Sequence, residues 1–141
     1  GKETPKYVTI KLDENKQKIY GLERVNFTKH IYVTEGPLDS LFLDNCIAAG
    51  GADLTLDSKI NPEKVTYIFD NEPRNKEIIQ RMEKIIDLGY NIFIWPEDIQ
   101  LKDVNDLIMT GVSKLQLDEI ISINTYSKLS AKQALVNFKK I

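Results

Sequence analysis

Cysteine and histidine are almost missing from this sequence, which holds Cys46 and His30 and no others. A single cysteine excludes an intramolecular disulfide and a cysteine-rich zinc site, and a single histidine excludes a multi-histidine metal centre. Cys46 lies in an apolar stretch and reads as a buried, inert thiol that fits a reducing cytoplasm. His30 precedes a strand and reads as structural or solvated. No apolar run approaches the ~20 residues of a membrane span, so no membrane association is expected. The opening Gly1-Lys2-Glu3-Thr4-Pro5-Lys6 does not read as a signal peptide, and a start without Met reads as part of a larger parent. An excess of one charge is also lacking. Lysine and arginine number 19 against 21 acidic residues, a net charge of −2. The domain as a whole is therefore no electrostatic nucleic-acid binder, and contact with nucleic acid must come from local patches or through bridging metal ions.

What is present is an ordinary globular composition, 42% hydrophobic and 28% charged over 141 residues, enough for one domain with a sizeable core. Tyr7 to Leu12 alternates, and Gln17 to Tyr20 can return after the polar turn at 13–15, which predicts an N-terminal β-hairpin. Ile31 to Thr34 is strand-like and is broken by Gly36 and Pro37. Pro37 suits the first turn of a helix, and Leu38, Leu41 and Phe42 follow at helical spacing. Cys46 to Ala49 is a second short apolar run. Val65 to Phe69 is apolar nearly throughout, as a strand covered on both faces should be. Asn75 to Leu88 is the clearest helix, with an apolar stripe of Ile78, Ile79, Met82, Ile85 and Ile86 and a stop at Gly89. Asn91 to Trp95 is a fourth strand, and Val104 to Met109 a short helix. The tail reads as helical over 115–123 and 130–141, with Ser130 and Gln133 spaced as a capping box. The expected organisation is a hairpin and connection over 1–29, a core over 30–111 and a helical extension over 112–141.

Strands separated by helices imply right-handed βαβ units and an α/β fold with a mainly parallel sheet, in which functional groups gather at the carboxyl ends of the strands. Glu35 follows the first of these strands. Asp70 and Glu72 follow the third, and Asp103 and Asp106 follow the fourth. On a parallel sheet all three loops share one edge. Two carboxylates ~5 Å apart repel by roughly 3 kcal/mol at an effective dielectric of ~20, so such a cluster needs a cation or raised pKa values. Oxygen ligands alone favour Mg²⁺, Mn²⁺ or Ca²⁺, and carboxylate-bound Mg²⁺ points to phosphoryl or nucleotidyl transfer. Each acid taken singly has a plainer reading: Asp39, Asp70 and Asp103 suit helix N-termini as caps. Their recurrence at successive strand ends is what favours a site.

At Glu35-Gly36-Pro37-Leu38-Asp39-Ser40, Asp70-Asn71-Glu72 and Lys102-Asp103-Val104-Asn105-Asp106 the sequence resembles the Toprim domain of topoisomerases and primases. The likeness covers residues 30 to 110 and takes the motifs in order, each at a strand end. Lys-Asp-x-x-Asp after the fourth strand is similar to the segment found in DNA primases, and Glu-Gly-Pro-Leu-Asp-Ser-Leu-Phe looks most like the primases of T-even-type bacteriophages. The resemblance implies a Rossmann-like, four-stranded, mainly parallel sheet flanked by helices, and a site for Mg²⁺ or Mn²⁺. It implies that Glu35 is an acid/base or metal-organising carboxylate, that Asp70 and Glu72 carry metal, and that Asp39 and Asp103 support the coordination. Lys102 would meet a phosphate, Arg74 could do the same, and Asp106 is left without a role. The family's Asp-x-Asp is here Asp70-Asn71-Glu72, which keeps the charge but reaches one methylene further.

The implied activity is synthesis of short RNA primers on a single-stranded DNA template from nucleoside triphosphates, alongside a replicative helicase and in a host cytoplasm if phage-encoded. Family members add an upstream basic subdomain and a zinc module, so the chain is expected to be the catalytic half of a primase and inactive alone. A Toprim nuclease would share every carboxylate, and a non-catalytic module binding nucleic acid or a replisome partner would share the fold.

Overall fold

A computed structural model describes residues 20–48 and 60–141. The predicted hairpin, apart from Tyr20, lies outside the described residues. Tyr20 itself exchanges two backbone hydrogen bonds of 2.9 Å with Ala48 in an antiparallel bridge.

The described strands are β1 (Ile31–Thr34), β2 (Cys46–Ala48), β3 (Val65–Ile68), β4 (Asn91–Phe93) and β5 (Thr125–Tyr126). They form one sheet in the order β2-β1-β3-β4-β5, parallel except where β5 runs against β4. The fold is α/β, as expected, with a Rossmann-like sheet. A fifth strand corrects the count of four. Thr125 and Tyr126 pair with Phe93 and Ile92, and two residues are too few to show a period of two in sequence.

Five α-helices are described: α1 (Pro37–Ser40), α2 (Lys76–Asp87), α3 (Val104–Met109), α4 (Lys114–Ile123) and α5 (Lys128–Lys139). The spacing of Leu38, Leu41 and Phe42 predicts more helix than α1 provides. It is a single turn, and Leu38 and Leu41 face outward. Helix α2 follows the sequence closely. Ile78, Met82, Ile85 and Ile86 are buried, each contributing about 1.5–3 kcal/mol relative to an exposed side chain, and Asn75 Oδ1 caps the helix by accepting from the N–H groups of Glu77 and Ile78.

The capping-box spacing at Ser130 and Gln133 falls inside α5, whose N-cap is Ser127. The box of α5 pairs Ser127 with Ser130, whose Oγ accepts from Ser127 N–H at 3.4 Å. A second box closes α4, where Ser113 Oγ accepts from Gln116 N–H at 3.1 Å and Gln116 Oε1 accepts from Ser113 N–H at 2.9 Å. Ser113-x-x-Gln116 carries the same spacing in sequence as Ser130-x-x-Gln133.

The parallel strands are buried except at the half-buried Tyr32 and Asn91, with Ile31, Ile47, Val65 and Ile92 fully covered. Leu117 and Ile121 of α4 and Ala131, Leu135 and Phe138 of α5 join the same core as the sheet. Lys132 and Lys139 on α5 reach Asp87 and Glu83 on α2 at 3.6 and 3.5 Å. His30 Nε2 lies 2.7 Å from Thr66 Oγ1, a structural role. Among the described residues no helix is long and apolar enough to cross a membrane.

The sheet order places the site. From β1 the chain goes to β2 on one side and then to β3 on the other, so the direction of winding reverses between β1 and β3. The connections leaving two adjacent parallel strands there diverge and leave a crevice at their carboxyl ends. Glu35 follows β1 and Asp70 lies just past β3.

Candidate metal centre at the carboxyl edge of the sheet

Three carboxylates meet at this edge. Asp39, Asp70 and Asp103 each offer an oxygen atom, and the three atoms lie within 4.8 Å of one another. Different elements deliver them. Asp39 is held in the single turn of α1, whose start is fixed by Pro37 and by Ser40 Oγ donating to the Pro37 carbonyl at 2.6 Å. Asp70 ends the extended segment beyond β3, and Asp103 stands at the N-cap of α3.

Two of the three also serve the start of α3. Asp103 Oδ1 accepts from Asp106 N–H at 2.8 Å, and Asp39 Oδ1 accepts from Asn105 N–H at 2.8 Å. The capping reading of Asp103 thus holds in the structure, and Asp39 performs a similar service from another helix, satisfying N–H groups that have no partner within the turn. Capping occupies one oxygen of each and leaves the carboxylate charge at the edge of the sheet.

The electrostatics are those of a crowded anionic site. Asp70 is pushed up from 3.8 to about 7, first by burial and then by the charges of Glu35, Asp39, Asp103 and Glu72. Asp39 is pushed up to about 6, again by burial first, with Asp103, Asp106 and Glu35 adding to it and the hydrogen bond from Asn105 opposing it. Burial also raises Glu35, against the Arg81 charge and a hydrogen bond from the Asp70 backbone. Glu35 Oε2 is buried with no hydrogen-bond partner. A buried acceptor without a partner is rare and costs about 1–3 kcal/mol, more when it is charged. The donor set of Asp39, Asp70 and Asp103 is oxygen alone and crowded with like charge, and the neighbouring Glu35 adds an unsatisfied buried acceptor. Those properties fit a hard divalent cation.

The other residues named from sequence take different positions. Glu35 and Glu72 fall outside the group of three. Glu72 Oε1 accepts from Asn75 Nδ2 at 3.2 Å, which ties it towards the start of α2. Asp106 is half-buried and contributes its backbone N–H to Asp103. Lys102 and Arg74 are exposed. Sequence reasoning treats Asn71 as a spacer between two acids. In the structure its side chain and backbone all reach across to the loop that carries Asp103. An asparagine beside an expected ligand was the available signal, but its partners lie 28 and 30 residues further along the chain. Trp95 Nε1 donates to the Phe69 carbonyl at 2.8 Å and locks the segment leading into Asp70 against β4.

The chain is 39% identical over 138 residues to the DNA primase of Enterobacteria phage T4, a match that takes in 96% of this chain and 40% of the phage protein. No protein-family model matches the chain. Along nearly all of its own length the chain is thus a relative of a phage DNA primase, and it spans less than half the length of that protein.

Proposed function

We propose that this chain is the metal-binding catalytic part of a DNA primase, a Toprim domain that takes part in making short RNA primers on single-stranded DNA from nucleoside triphosphates. The observation that carries the proposal is the meeting of Asp39, Asp70 and Asp103 at the reversal point of a parallel sheet. Similarity to a phage DNA primase supports the choice of reaction.

Asp39, Asp70 and Asp103 would hold Mg²⁺ or Mn²⁺, with Glu72 within reach of the same edge. A bound cation supplies charge neutralisation and alignment for nucleotidyl transfer. Glu35 supplies a proton acceptor. Burial raises its carboxyl, and Oε2 is free of protein partners, which suits it to take the proton of an attacking ribose hydroxyl. Lys102 and Arg74, both exposed, offer positive charge to phosphates arriving from solvent. The net charge of −2 leaves general affinity for the template to other parts of the full protein and to a partner such as a replicative helicase.

Primer synthesis by the full-length protein on single-stranded DNA tests the assignment. Glu35→Gln and Asp70→Asn are each expected to reduce it by about 100-fold or more. Undiminished synthesis in both variants contradicts it.

A further inference from the structure

The acids that meet at the sheet edge come from loops with no covalent reason to stay together. Asp70 follows β3, and Asp103 stands at the end of the stretch from Pro96 that follows β4. Three hydrogen bonds from one residue join these loops. Asn71 Nδ2 donates to the carbonyls of Ile99 and Leu101 at 2.9 and 2.8 Å, which uses both of its N–H groups. The Asn71 backbone N–H donates to the Lys102 carbonyl at 2.6 Å. Asn71 is the residue after Asp70, and Lys102 is the residue before Asp103. The staple therefore fixes the two chain positions from which the converging carboxylates project.

From this geometry we infer that Asn71 is a positioning residue for the cation site, setting the distance between Asp70 and Asp103. The part that concerns the cation rests on the metal-binding function proposed above. Asn71 makes no contact with the cation in this scheme. Its amide holds carbonyls, and an acid at this position would lose both donors and add a charge. The exposed Lys102 is carried on the same staple, so its approach to a phosphate is set by the same residue.

Asn91 provides a matched control. Its Nδ2 donates to the Glu63 and Val65 carbonyls at 2.9 and 3.1 Å, the same pair of bonds at the amino edge of the sheet, away from the acids. The test compares Asn71→Ala and Asn91→Ala in the full chain by two measurements. One is Mn²⁺ affinity by calorimetry, at a temperature where both variants are folded. The other is amide hydrogen exchange over residues 99–106 in EDTA. Asn71→Ala is expected to weaken Mn²⁺ binding about tenfold and to speed exchange over 99–106, while Asn91→Ala changes neither, although both lower thermal stability. Unchanged exchange over 99–106 in Asn71→Ala overturns the positioning role whether or not metal binds. Equal losses of affinity in the two variants overturn it as well, because general destabilisation would then explain both. If the wild-type chain takes up no Mn²⁺, the proposed metal function fails, and the exchange data alone decide whether Asn71 positions the Asp103 loop.

Discussion

Replacing Asp70 with asparagine is expected to stabilise the protein in EDTA while removing its response to divalent cations. Burial and four neighbouring acids push the Asp70 carboxyl from 3.8 to about 7. A rise of about three pH units corresponds to about 4 kcal/mol of penalty on the charged form. The side chain is only half-buried, and screening by solvent reduces this to about 2 kcal/mol. The sign follows from proton binding. Below pH 4 the carboxyl is protonated in both folded and unfolded chains and imposes no penalty. Between pH 4 and 7 the folded chain holds a proton that the unfolded chain has lost, so stability falls as pH rises. Above pH 7 the whole penalty is present. Asparagine has nearly the same shape and no charge, so urea unfolding at pH 8 should show Asp70→Asn about 2 kcal/mol more stable than wild type. The gain should shrink towards zero near pH 4. Adding Mn²⁺ at pH 8 should stabilise wild type and leave the variant nearly unchanged. A variant no more stable than wild type at pH 8, or a gain that persists at pH 4, refutes the electrostatic account of the site.

Other expectations concern the frame around it. Trp95→Phe removes the bond to the Phe69 carbonyl from a side chain that is 3% exposed, and should cost about 1–3 kcal/mol in chemical denaturation. Ser113→Ala breaks the capping box of α4 and should cost about 1 kcal/mol, lowering the thermal midpoint without affecting Mn²⁺ affinity. Cys46 is buried, and that burial pushes its thiol up to about 12, so iodoacetamide at pH 8 should label it only as fast as the protein unfolds.

The elements that organise the site were legible because their signals are local. Ile31 to Thr34 is a strand with the predicted bounds, and the helix expected over Asn75 to Leu88 matches α2 within a residue at each end. Alternation of strand and helix was enough to imply parallel strands, and parallel strands put Glu35, Asp70 and Asp103 on one edge. What sequence could not give was the final spacing. It ranked Asp39 as a supporting residue and Glu72 as a ligand. The structure groups Asp39 with Asp70 and Asp103, and leaves Glu72 bonded to Asn75. Both differences depend on side-chain direction after a turn, which has no periodic signature. The staple from Asn71 was hidden for a related reason, since its acceptors are backbone carbonyls in a loop without secondary structure. The fifth strand was missed because two residues carry no alternation.

Paramagnetic broadening by Mn²⁺ reads out the cation proposed among Asp39, Asp70 and Asp103. In an amide NMR spectrum of the isotopically labelled chain, substoichiometric Mn²⁺ should erase the signals of residues 70–72 and 103–106 first. Those of His30 and Asn91, at the opposite edge of the sheet, should stay sharp. Broadening centred elsewhere, or none at Mn²⁺ concentrations that saturate carboxylate sites, contradicts the account.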